Sequence, residues 1–182
     1  VIVDQRPGVR QDPGFALLEL YDAALPEVYG YLLPRCGQRA LAEDLTEETF
    51  LAALDACHRS APPDLSVAWL IGVARHKLVD HWRRVAREER GLRAVAGQRV
   101  ESTDPWDERL DALVARDVLA TLGPHHRAAL TLRYLDGLPV ADVARLLDRT
   151  VHATEALLVR ARSAFRRSYA DRHDESGSEG SA

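Results

Sequence analysis

The chain has 182 residues, 46% of them hydrophobic, enough for one ordinary domain or two small ones. Its formal net charge of −4 gives no overall pull toward phosphate, and no run approaches the ~18 apolar residues of a membrane span, so membrane insertion is not expected. Its two cysteines, Cys36 and Cys57, lack Cys-x-x-Cys or His-x-x-x-His company, which argues against a disulfide-stapled secreted scaffold or a metal pair and for free thiols in a reducing compartment.

In chain order, residues 1–12 read as a flexible tail, and the start has no basic region followed by an apolar core, so no secretory leader is expected. From Phe15 to Leu33, the residues Leu17, Leu18, Tyr21, Leu25, Val28 and Leu32 fall at helical spacings. Pro26 is expected to kink or reset that helix, and Pro34 with Gly37 to end it. A second helix is predicted over about Arg39–His58, where Leu41, Leu45, Thr49, Ala52 and Ala56 form one stripe. Phe50 and Leu54 point the other way, beside Glu43 and Glu47. A helix apolar on two sides is either buried or meets a second protein.

Ser60–Ser66 (SAPPDLS) is a breaker, and Ser66 suits the cap of the next helix. Val67, Leu70, Ile71, Ala74, Leu78 and Val85 give that helix an apolar stripe, with Trp69, His76, Asp80, Arg83 and Arg87 opposite. Residues 96–109 lose the periodicity and read as a flexible linker that permits many placements of what it joins. Helices follow near Leu110–Thr121 and over about Pro124–Leu135, with Pro124 suited to a first turn and Gly137 to a stop. Then Val140, Val143, Ala144 and Leu147 face inward on a short helix, Asp148-Arg149 turns the chain, and Thr150 suits a cap. Val151, Thr154, Leu158, Ala161 and Phe165 pack inward on the next helix, leaving His152, Ala156, Arg160, Ser163 and Arg167 outside. A helix presented in this way fits a major groove; an ordinary helical hairpin is the plainer alternative. Residues 171–182 have a disordered, acidic composition. No strand pattern, repeat or glycine-rich phosphate loop is present, so the expected fold is all-α, with two small helical domains joined by a linker.

Charge is segregated along the chain. Residues 1–68 hold 5 Lys/Arg against 11 Asp/Glu, residues 69–100 hold 8 against 3, and residues 138–172 hold 7 against 4. An acidic front followed by two basic segments points to two kinds of partner.

At this point a family is visible. The stretch LGPHHRAALTLRYLDGLPVADVARLLDRTVHATEALLVRARSAFR resembles the promoter-binding region 4 of bacterial RNA polymerase sigma factors. AEDLTEETFLAAL resembles the region 2 helix that grips the polymerase clamp, and WLIGVARHKLVDHWRR the helix that opens and reads the −10 element. The resemblance covers roughly residues 13–170, and the short linker is that of the extracytoplasmic-function (ECF) group. It implies a region 2-like domain over 13–95, a linker over 96–109 and a region 4-like helix-turn-helix domain over 110–170. It further implies a bacterial cytoplasmic protein, nucleoid-associated within the holoenzyme. The resemblance also implies that the chain binds core RNA polymerase and promoter DNA, that an anti-sigma factor is a possible partner that would hold it inactive, and that it is neither an enzyme nor a user of cofactors or metals.

Carried over by position, Asp44, Glu47, Glu48, Phe50 and Leu54 would meet the polymerase. The loop Cys57–Ser66 would pocket a flipped base, and Trp69, Arg75, His76, Asp80, Arg83 and Arg84 would meet the −10 strand. Arg145, Arg149, Thr150, His152, Ala153, Ala156 and Arg160 would read the −35 element. The sequence departs from the family at His76, where Asn is frequent, and at Glu155 and Leu157, where Lys and Arg are common. Two missing cations on the recognition helix should weaken phosphate contact and make −35 binding less salt-dependent. The main rival is a stand-alone helix-turn-helix regulator, which leaves the acidic helix 39–58 idle. An enzyme built on His125-His126 or on His76 with His81 lacks a carboxylate pair, a Ser-His set or a phosphate loop, and a spacing of five puts His76 and His81 on different helix faces.

Overall fold

A computed structural model describes residues 13–92 and 112–178, and the expectations for the tail at 1–12 and the linker at 96–109 lie outside the described residues. Among the described residues there are seven α-helices and no strand. The front half is α1 (Pro13–Cys36), α2 (Arg39–Cys57) and α3 (Val67–Leu92). The rear half is α4 (Ala112–Thr121), α5 (Pro124–Leu130), which runs into a π turn at Thr131–Leu135, then α6 (Val140–Leu147) and α7 (Val151–Ser178).

Each front helix presents to the other two a ladder of buried residues at steps of three or four. Ala24, Val28, Leu32 and Cys36 are buried on α1, Ala42, Leu45, Thr49 and Ala53 on α2, and Leu70, Ala74, Leu78 and Trp82 on α3. A fully buried Leu or Val contributes roughly 1.5–3 kcal/mol. The small residues of α2 let its backbone approach its neighbours. The buried threonines add no orphaned group, because Thr46 and Thr49 each donate to the carbonyl four residues back, both at 2.7 Å.

Two local expectations are corrected. α1 runs through both Pro26 and Pro34 and stops only at Gly37, whose φ of +69° suits a residue without Cβ. A proline in a helix interior loses one N–H bond and costs about 3 kcal/mol, and the continuous buried face around it offsets that. At the other end of the chain, α7 continues to Ser178, so residues 171–178, expected to be disordered, are helical; residues 179–182 lie outside the described set.

Other local signals behave as their chemistry predicts. The Trp69 N–H donates to Ser66 Oγ at 3.1 Å, and the Ala153 N–H to Thr150 Oγ1 at 3.1 Å. Pro124 occupies the start of α5, and Gly137 has φ +67°. Both cysteines are buried thiols outside any disulfide. Burial pushes the Cys36 thiol up to about 11, against the opposing pull of Arg127 and Arg35. A raised folded-state pKa favours the protonated native form, so this part of the stability is present below the ordinary value of 9.0 and is lost as pH rises toward 11. Urea unfolding across that window is expected to show a loss of about 2–3 kcal/mol, and Cys36→Ala to remove that part of the slope.

The two halves pack against each other, with α5 and α6 on α3 and α4 on α1. Buried apolar residues of both halves join in one core, and a polar cluster lies in the same seam. Asp136, at the end of the π turn, has a side chain only 1% exposed. It accepts a hydrogen bond from the Tyr31 hydroxyl at 2.8 Å, from Arg35 Nη2 at 2.7 Å and Nε at 3.0 Å, and from Arg75 Nε at 3.1 Å. The Arg35 guanidinium also lies 3.8 Å over the Tyr31 ring. Nearby, Arg127 Nη2 donates to the Arg35 carbonyl at 2.7 Å.

Candidate functional site

Three surfaces carry the chemistry. The first lies between α1 and α2. Phe50 is half-buried with its ring 4.9 Å from that of Tyr21 at 58°, and Leu18, Leu51 and Leu54 stand exposed around the pair. They line a groove of about 590 Å³ with Glu47 on its wall. Asp44 and Glu47 are exposed, while Glu48 reaches Lys77 at 3.5 Å. Of the five residues expected to meet a protein, Glu47, Phe50 and Leu54 line this groove, while Asp44 stands exposed on the same helix and Glu48 turns toward α3. Sequence reasoning placed Leu18 and Tyr21 in one stripe with the core of α1. The steps 18, 21 and 25 in fact form a second stripe, offset from 17, 24, 28 and 32, and that offset was the readable signal.

The second surface is α3 with the loop before it. That loop closes a cavity of about 500 Å³ between Pro62, Pro63, Asp64, Leu65 and Ala16, Glu19 and Leu20 of α1. His76, Asp80 and Arg84 are exposed, and Trp69 is half-buried. Arg84 Nη2 lies 3.2 Å from His81 Nδ1, and burial, then Arg84 and Arg127, hold His81 below its usual range. The other two cations are turned elsewhere. Arg75 bonds Asp136, and Arg83 Nη2 lies 3.1 Å from Asp148 Oδ2. Burial disfavours the charge on Arg75, but Tyr31 and Asp136 more than offset it and hold the guanidinium more firmly protonated than usual.

The third surface is the helix-turn-helix of α6 and α7. Asp148 closes α6 in the left-handed region with φ +54°, a conformation Asp tolerates better than most residues, and turns the chain. Thr150, His152, Ala156 and Arg160 are exposed along the start of α7, with Arg149 and Ala153 half-buried beside them. Arg145 is exposed and pairs with Asp142 at 2.7 Å. Behind this face His126 is held below its usual range by burial, then by Arg160 and Arg167. Two expectations are corrected. Val151, expected inside, is 46% exposed at the first position of α7. Leu157, read as a missing surface cation, is 4% exposed and belongs to the core beside Leu158. Only Glu155 is then an acidic departure on the outer face.

Thr150→Ala is expected to cost about 1 kcal/mol, because the cap bond to Ala153 is lost. Thermal unfolding by circular dichroism should show a midpoint about 2–4 °C lower, and Thr150→Ser should restore it.

Among the described residues no three His, Cys, Asp or Glu side chains gather as a metal site, and no helix is long and apolar enough to cross a membrane.

Known proteins share both halves. Residues 20–88 match the family description Sigma-70 region 2, and residues 113–165 match Sigma-70, region 4. The chain is similar to the ECF RNA polymerase sigma factor BldN of Streptomyces coelicolor, 33% identical over 150 residues that cover 78% of this chain and 56% of BldN. It thus spans little more than half the length of that relative. It is 35% identical over 131 residues to the ECF RNA polymerase sigma factor SigL of Mycobacterium tuberculosis, covering 69% of this chain and 72% of SigL. In fold it is similar to the sigma factor RpoE of Bartonella quintana, solved in complex with the anti-sigma factor NepR. That match has a TM-score of 0.51 and 20% identity, over 84% of this chain and 96% of RpoE.

Proposed function

Since the chain belongs to the extracytoplasmic-function (ECF) sigma factors, we propose that it binds core RNA polymerase, directs it to two-element promoters and assists melting of the −10 region. The observation that carries this reading is the union, in one chain, of an exposed apolar patch edged by carboxylates and a capped helix-turn-helix. The carboxylates at the edge of that patch would repel a second copy of it, so the patch suits a basic partner better than the self-association an operator-binding dimer needs.

The roles divide as follows. Phe50, Leu54, Asp44, Glu47 and Glu48 dock the polymerase clamp. The cavity at Pro62–Leu65 takes a base flipped from the −10 strand, where unstacking costs a few kcal/mol and is repaid by edge contacts that select the base. Trp69, His76, Asp80 and Arg84, with Arg75 and Arg83 once they are free of their carboxylates, line the path of that strand. Arg145, Arg149, Thr150, His152, Ala153, Ala156 and Arg160 face the −35 element, with the first turn of α7 nearest the bases. The polymerase makes the bonds, and the chain contributes placement. Its net charge of −4 is no obstacle, because the core enzyme supplies much of the phosphate attraction. The site of action is the bacterial cytoplasm, and an anti-sigma protein is the expected antagonist. The region 2 and region 4 domains extend over 13–95 and 110–170.

Run-off transcription with purified chain, bacterial core polymerase and a library of promoter fragments tests the reading. The expected result is start sites that core alone lacks. If core activity is unchanged while the chain alone retards duplex DNA in a gel, the stand-alone regulator replaces it.

A further inference from the structure

We propose that His126, Arg160 and Arg167 form a binding site for a backbone phosphate of duplex DNA beside the −35 element, and that His126 takes up a proton as the phosphate arrives. This site presupposes the reading that the helix-turn-helix faces DNA. To that reading it adds two residues, His126 and Arg167, and a dependence on pH.

Arg160 and Arg167 are both exposed on α7. Seven residues make about two turns, so the two share a face, roughly 10 Å apart and in line with His152 and Ala156. The first turn of such a helix is nearest the bases, and the later turns lie out toward the sugar-phosphate backbone. His126 comes from α5, one turn before Leu130, which is 2% exposed and shares its core with Ala161 and Phe165 of α7. That register puts His126, half-buried, on the α7 side of its helix.

All three side chains are uncommitted. Other cations of this half are engaged, Arg145 with Asp142 and Arg172 with Asp117. Among the described residues no ion pair or side-chain hydrogen bond engages Arg160, Arg167 or His126. The charged groups that act on the His126 ring are those two guanidinium groups; α3, α6 and the π turn also pack on α5 and supply none. Burial, then the two arginines, disfavour the imidazolium and hold the ring below its ordinary value of 6.5, so it is neutral at pH 7. Three such groups with no carboxylate between them repel one another when charged, and a bound anion removes that repulsion. Phosphate oxygens accept from both guanidinium groups and from the protonated ring, and each of these bonds is charge-assisted. The proton comes from solvent. Because binding takes it up, duplex affinity rises as pH falls through the interval between the bound and free values of His126, and levels off below the free value.

The full-length chain, His126→Gln and Arg167→Gln are titrated with a labelled mixed-sequence duplex, since a phosphate contact does not depend on base identity. Fluorescence anisotropy gives the affinity from about pH 8 to about pH 5, and NMR of the imidazole Hε1 resonance, assigned by its absence from His126→Gln, follows the ring itself. If the phosphate raises the His126 pKa by about one unit, the wild type gains about ten-fold in affinity toward acid pH, over and above any gain in His126→Gln. Arg167→Gln, a change at an exposed position, is expected to flatten the slope of log K against log salt by about 0.9 and to raise the pKa of the ring in the free chain. A ring titration that does not move when the duplex binds overturns the site and leaves the −35 reading standing. An unchanged salt slope in Arg167→Gln overturns it whether or not His126→Gln folds. If inorganic pyrophosphate at matched ionic strength shifts the ring and the duplex does not, the site belongs to a free phosphate and the DNA contact is overturned. A wild-type chain that binds no duplex at any pH removes the −35 reading itself, and the site with it.

Discussion

Alanine at both Phe50 and Glu47 is expected to weaken binding to core polymerase by about thirty-fold or more and to abolish chain-dependent run-off transcripts. The Phe50 ring is held against Tyr21 at 4.9 Å, so it is already fixed in the orientation it would present to a partner. An aromatic side chain at the centre of such a patch typically contributes 2 kcal/mol or more to binding, and each 1.4 kcal/mol is a factor of ten. Glu47 lies on the groove wall and is exposed. Its removal should mainly slow association and flatten the dependence on salt. Surface plasmon resonance with immobilised core enzyme separates the two contributions. Helical content by circular dichroism should be largely retained, because Phe50 packs only on the edge of the core and Glu47 is exposed. An unaltered Kd would remove the α1–α2 face from the polymerase reading.

Phe165→Ala is expected to destabilise the rear half by about 3–5 kcal/mol, a large share of the 5–15 kcal/mol that holds a whole domain. Phe165 is 3% exposed and stacks on Tyr169 with ring centroids 5.9 Å apart. It belongs to the same buried core as Leu130, Leu132, Val143 and Leu158. A four-helix unit of this size has few other large buried side chains to compensate. Urea unfolding followed by circular dichroism should show a lower midpoint or an early separate transition, and duplex DNA carrying a −35 element should no longer be bound. If the midpoint stays within the error of the wild type, α7 is not the packing spine of this half.

Most elements were legible because their signals are short-range. Ser66 and Thr150 are hydroxyl caps that need only the three residues after them, and both make the expected bonds. Gly37 and Gly137 mark helix ends through their own φ angles. The stripes read for α2 and α3 found Leu45, Thr49, Ala56, Leu70, Ala74 and Leu78 of the buried faces but not Ala42, Ala53 or Trp82, and the helix-turn-helix was readable from its cap and its stripe. The sequence reading failed where local rules compete with packing. Pro26 read as a kink or reset and Pro34, with Gly37, as the end, yet α1 continues past both to Cys36 because its buried face continues on both sides. Leu157 read as surface by family position, yet it lies in the core. Leu18 and Tyr21 were merged with the core stripe, although they belong to the exposed patch.

By itself, then, the sequence determined the helices, their caps, the all-α class and the two kinds of surface, since each depends on residues within a turn or two of one another. Only the tertiary structure decided how the halves meet. Asp136 reads locally as an ordinary turn residue before a glycine. Its partners Tyr31 and Arg35 lie 105 and 101 positions away, and Arg75 lies 61 away. No periodicity or cap spans such separations. A buried carboxylate acquires its counter-charges only when the chain folds back on itself, and that packing sets which arginines are engaged and which remain free.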